Sequence, residues 1–179
     1  GGRVHEGWRT TVRIVGAPYA DASGAAYTAN VVPGVSHMRL LLTKLGKECP
    51  DSMFALVGFS QGAQIVHGTA VELTPAQSRR LALVAMIADP RRNPGDPIAH
   101  WSYDAPTPGP GKLGAGTPIP QFLRSKAITF CARKDEICNW PPGGYAGHLS
   151  DTHRHFYEAP AHVAQTGEQL DKVLERNGI

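Results

Sequence analysis

Phe54-Ala55-Leu56-Val57-Gly58-Phe59-Ser60-Gln61-Gly62-Ala63 is the stretch whose reading decides how this chain folds. Residues 54–57 form an apolar run between Pro50 and Gly58, as expected of a central parallel strand buried on both faces. From Gln61 to Glu72 the pattern becomes helical. Between the two, Gly58-Phe59-Ser60-Gln61-Gly62 fits G-x-S-x-G, a turn that holds its serine in a strained backbone conformation. Glycines on either side let strand and helix approach without a Cβ clash. Ser60 Oγ would then stand at the sheet's end as a nucleophile. The backbone N–H of Gln61, at the helix N-terminus, would point at a developing oxyanion. The pattern also arises by chance, as a glycine-rich turn whose serine merely caps the helix. A strand before it and a helix after it favour the nucleophile.

The same alternation continues along the chain. Residues 10–16 (TTVRIVG), 81–87 (LALVAMI) and 127–131 read as buried strands, being apolar and rich in β-branched residues. Val35, Met38, Leu41, Leu42 and Leu45 lie at helical spacing, so 35–45 reads as an amphipathic helix. A short helix is expected from Pro75, and a last one over 168–176 with a capping box in Thr166 and Gln169. Strands alternating with helices imply an α/β three-layer sandwich with a central parallel sheet. Ligands of such sheets bind at the carboxyl ends of the strands. Residues 89–121 hold eight of the chain's 15 prolines, and an irregular stretch this long is expected to cover one face of a site. The runs Arg79-Arg80 and Arg91-Arg92 read as solvated faces, and the loop aromatics Trp101, Phe122, Trp140 and Tyr145 as candidate cleft walls.

A length of 179 residues suits one domain spanning 1–179. With 41% hydrophobic and 18% charged residues, global disorder is excluded. The net charge is only +3 and no basic run could follow a phosphate backbone, so nucleic acid is not an expected partner. No apolar stretch reaches the roughly 18 residues of a membrane span, and no signal-peptide pattern is present. The chain starts Gly1-Gly2-Arg3 without an initiator Met and reads as a trimmed product. Cys131 and Cys138 are close enough in sequence to close a small disulfide loop. Cys49 is then a buried free thiol or the partner of an upstream cysteine.

A nucleophile elbow implies the chain order Ser, acid, His. Asp135 follows the strand at 127–131 and lies between Cys131 and Cys138, where a triad acid belongs. His148, His153, His155 and His162 come after it. A metal reading in which Asp151, His153 and His155 gather on a turn lacks a second strong ligand group.

Taken together these residues resemble the cutinase family of serine esterases, within the α/β-hydrolase superfamily. The resemblance rests on Gly58-Phe59-Ser60-Gln61-Gly62-Ala63, on Cys49-Pro50, on Cys131 with Asp135 and Cys138, and on Gly147-His148-Leu149. It implies Ser60 as nucleophile, Asp135 as acid, His148 as base, Gln61 as oxyanion donor, and a Cys131–Cys138 disulfide bracing the acid loop. It further implies a secreted carboxylic-ester hydrolase without cofactor or metal, acting on cutin-like, lipid or cell-envelope esters. The Ala, Gly, Arg and Pro content suits an actinobacterial or phage member. In the family, the counterpart of Cys49 pairs with a cysteine near the first strand, and a Ser or Thr completing the oxyanion hole follows that strand. Both would precede Gly1, so the expectation is an absent first strand and an upstream fragment bonded through Cys49. The family often has an aromatic three residues after its histidine. Asp151 stands there for His148 and Phe156 for His153, but the 13-residue spacing from Asp135 favours His148. The other functions weighed are a degenerate envelope-binding module and a transacylase or thioesterase.

Overall fold

The computed structural model describes residues 12–19, 25–145, 147 and 149–179. Its elements are α1 (Ala25–Glu48), β1 (Phe54–Phe59), α2 (Gln61–Glu72), β2 (Leu81–Ile87), β3 (Ala99–Trp101), β4 (Ala127–Phe130), α3 (Asp151–His155) and α4 (Pro160–Arg176). The four strands form one sheet in the order β1-β2-β4-β3, and every pairing is parallel. Among the described residues no helix is long and apolar enough to cross a membrane.

β2 is buried almost throughout because helices cover both its faces. Val84 and Met86 join Leu56, Val66 and Ala70 beneath α2. Leu83 and Ala85 face the other way, onto Ile128, Phe130 and Val173 of α4. Full burial of each larger apolar side chain stabilises the fold by roughly 1.5–3 kcal/mol. Packing of this kind is what makes α2 a helix, since Gly62, Gly68, Ile65, Val66, Thr69 and Val71 give it weak propensity of its own. Two helices on one side, the sheet, and α4 on the other make the expected α/β sandwich.

The elements differ from the sequence expectation in several places. Of the strand expected at 10–16, Thr10 and Thr11 lie outside the described residues, and 12–16 carry no strand. Val12 and Ile14 are 79% and 93% exposed. β1 ends the sheet, and residues 12–16 do not pair with its outer edge. Helix α1 begins ten residues before 35 and runs through Pro33 and Gly34. A Cβ on Gly34 would sit 2.5 Å from Ile65 Cδ1, so glycine there lets α1 cross close over α2. No helix starts at Pro75; the segment is a turn in which Thr74 and Gln77 bond each other. Helix α4 starts at Pro160, whose fixed φ suits a first helical position, and Thr166 lies inside it with its hydroxyl on His162 O.

The stretch 89–121 is ordered by hydrogen bonds and contributes β3. Arg92 is buried rather than solvated, donating to the carbonyls of Gly109 and Cys138 at 2.8 and 3.3 Å. Arg80 likewise turns inward and donates to the carbonyls of Gly46, Cys49 and Pro50 at the end of α1.

Candidate active site

Ser60 sits where β1 ends and α2 begins, at φ 53° and ψ −118°, a left-handed conformation that a non-glycine residue rarely adopts. A Cβ on Gly58 would lie 2.2 Å from Gly62 O, so only glycine fits there. The Ser60 N–H donates to Ile87 O at the end of β2, holding the turn on the sheet. Gln61 opens α2, so its N–H is among the first-turn donors that have no partner within the helix. Its buried side chain donates to Tyr27 O at 3.3 Å, which anchors this turn beneath α1.

Asp135 follows β4 in a loop closed by the Cys131–Cys138 disulfide, with Cα atoms 5.8 Å apart. The carboxylate is wholly buried and accepts from the Ile137 N–H at 2.9 Å. Cys49 is free among the described residues.

The histidine between these two groups is His153. Its Nδ1 lies 3.0 Å from both carboxylate oxygens of Asp135, and its Nε2 lies 2.9 Å from Ser60 Oγ. A neutral imidazole satisfies this arrangement by donating from Nδ1–H to Asp135 and accepting the Ser60 O–H at Nε2. His148, the expected base, lies outside the described residues, and both acceptor and donor positions it would need are held by the His153 ring. The placement of His153 has a local cause. Ser150 caps α3, its Oγ accepting from the His153 N–H at 3.1 Å, so the chain turns into a helix that carries residue 153 inward. Buried Glu136, next to Asp135, in turn accepts from the Ser150 N–H at 2.8 Å and from its hydroxyl. The acid loop and the helix bearing the imidazole are thereby joined directly.

Phe59 stacks on His153 with centroids 5.1 Å apart, and Tyr157 meets Phe59 edge-on. Phe59 thus lies against the imidazole, whereas Trp101 packs against Tyr103 and Trp140 lies under Lys112. Asp151 and His155 do not gather with His153: His155 bonds exposed Glu158 at 2.8 Å. Sequence reasoning held His153 as a candidate, on Phe156 three residues after it, but ranked it behind His148 on spacing from Asp135.

Comparisons with known proteins bear on the family and the fold. Residues 4–166 match the family model described as Cutinase. Cutinase cut1 of Trichoderma harzianum is 26% identical over 71% of this chain, and an acetylxylan esterase of Hypocrea jecorina is 29% identical over 66%. These matches span 42% and 43% of the relatives' own lengths, so the chain covers less than half of each. Among solved structures, a cutinase-like protein from Cryptococcus sp. superposes with a TM-score of 0.65 at 18% identity, over 83% of this chain and 73% of that one. The catalytic core of an acetyl xylan esterase from Trichoderma reesei gives 0.60 at 23% identity, over 84% and 72%. With the family model spanning most of its length and the nucleophile turn in place, the chain belongs to the cutinase family.

Proposed function

We propose that this chain is a serine carboxylic-ester hydrolase in which Ser60, His153 and Asp135 act as nucleophile, general base and orienting acid. The observation that carries the reading is the continuous Ser60–His153–Asp135 hydrogen-bond chain, buried at its acid end. Ser60 Oγ attacks the ester carbonyl while Nε2 of His153 takes its proton. The tetrahedral oxyanion forms at the N-terminus of α2, within reach of the Gln61 N–H. Collapse breaks the C–O bond, and the imidazolium returns the proton to the leaving alcohol. Water then hydrolyses the acyl-enzyme by the same proton transfers. Asp135 stabilises the imidazolium and fixes its tautomer without becoming protonated.

The substrates proposed are cutin-like polyesters, lipids and cell-envelope esters, with short acyl esters included because relatives are described as acetylxylan esterases. Extracellular action is supported by the Cys131–Cys138 disulfide, which persists in oxidising surroundings. Composition alone supports an actinobacterial or phage subtype; the relatives described above are fungal. An organophosphonate should form one adduct, on Ser60, and Ser60→Ala should remove both the adduct and ester hydrolysis. An adduct on another serine, with Ser60 unmodified, would overturn the reading.

A further inference from the structure

Tyr157 lies just past α3, in a turn of 3-10 helix, and reaches back to the buried acid loop. Its hydroxyl donates to Asp135 Oδ2 at 2.7 Å and accepts from the Ala132 N–H at 2.9 Å. An amide can only donate, so the phenol's single proton is committed to the carboxylate. Asp135 thus receives hydrogen bonds from three directions: the Ile137 amide, the His153 imidazole and the Tyr157 phenol. The ring itself is held edge-on by Phe59, Tyr103 and Phe156, so the hydroxyl has little freedom to leave. We infer that Tyr157 is a positioning residue of the proposed triad, acting on the reaction through Asp135 rather than by touching substrate. The inference rests on the Ser60–His153–Asp135 reading.

Two consequences follow from the chemistry. The phenol fixes the carboxylate plane in which the imidazole N–H is received, which matters because small misplacements of a base cost turnover. It also drains acceptor strength from Oδ2, since an oxygen already receiving a hydrogen bond is a weaker partner for the imidazolium. Burial first, and then the adjacent Asp135 charge, push the phenol's ionisation far above the usual tyrosine range, so it stays a donor at any working pH. The other ionisable groups acting around it are Tyr103 and buried Arg92.

The test compares Tyr157→Phe with Tyr103→Phe on a soluble nitrophenyl ester across pH. Tyr103 belongs to the same ring cluster, but its hydroxyl bonds Thr166 at 2.7 Å and not Asp135. Tyr157→Phe should lower kcat by about tenfold, the size of one lost hydrogen bond to a charged group, with KM nearly unchanged. The acid limb of its kcat/KM profile should move to higher pH, because the imidazole keeps its proton longer beside an undamped carboxylate. Tyr103→Phe should leave that limb in place, and melting curves for both variants report any loss of fold. Organophosphonate labelling of the unaltered chain separates the two layers of the argument. Labelling on Ser60 with an unmoved acid limb in Tyr157→Phe overturns the role of Tyr157 alone. Failure to label Ser60 overturns the triad reading and this inference with it.

Discussion

Glu136 and Ser150 show how much of the proposed chemistry is decided one residue away from the groups that perform it. Ser150 accepts from the His153 amide and donates to Glu136, and the buried Glu136 carboxylate takes the Ser150 N–H as well. Losing the cap alone costs about 1 kcal/mol. Ser150→Ala also strips a buried carboxylate of its hydroxyl partner, which adds roughly 1–3 kcal/mol. Chemical denaturation should therefore show Ser150→Ala destabilised by more than a cap's worth. Its kcat should fall as α3 shifts, and Ser150→Thr, which keeps the hydroxyl, should recover most of both. A Ser150→Ala variant as stable and active as the parent would refute the link.

Among the elements, the acid loop depends on its disulfide. Cys131 and Cys138 are seven apart in sequence, and closing so small a loop stabilises by roughly 2–3 kcal/mol through the unfolded chain. Replacing both with serine should lower the denaturation midpoint accordingly. Turnover should suffer further, since Asp135 sits inside the loop. Elements differ in how far the sequence alone discloses them. β1, α2, β2 and the Ser60 turn were legible because apolar period, bounding glycines and the motif all agree. β3 was not, because Ala99-His100-Trp101 has no period and exists only by pairing with β4. Spacing pointed to His148 where the structure brings His153 to Ser60 and Asp135, for a related reason. Spacing from Asp135 measures chain length, whereas the position of the imidazole is set by where Ser150 starts α3. The run at 10–16 has strand composition, but a strand exists only by pairing, and its described residues 12–16 make no ladder with edge strand β1.

Across the whole molecule, a second buried histidine–carboxylate pair ties the layers together away from Ser60. His67 of α2 places Nδ1 2.6 Å from Asp89 Oδ2, just past β2, and Nε2 2.8 Å from Thr117 O in the long connection. With acceptors on both nitrogens, the ring is best satisfied as an imidazolium. Burial alone would lower its pKa, but the hydrogen bond and charge of Asp89, the Thr117 carbonyl and Asp96 together raise it. The folded value thus exceeds the unfolded one. The stabilisation is full below the unfolded value of about 6.5 and is lost as pH rises through the folded value. Melting temperature should accordingly fall on that side of neutrality, and His67→Gln should be less stable than the parent at low pH yet flatter across the same range. A parallel pair of curves would contradict this. The central claim, however, concerns three groups drawn from distant parts of the chain to one end of the sheet. It is tested most directly by kcat for His148→Ala, His153→Ala and His155→Ala on one soluble ester. His153→Ala should lose roughly 10⁴–10⁶-fold, while His148→Ala and His155→Ala stay near the parent. An inactive His148→Ala beside a His153→Ala of near-normal turnover would contradict the account.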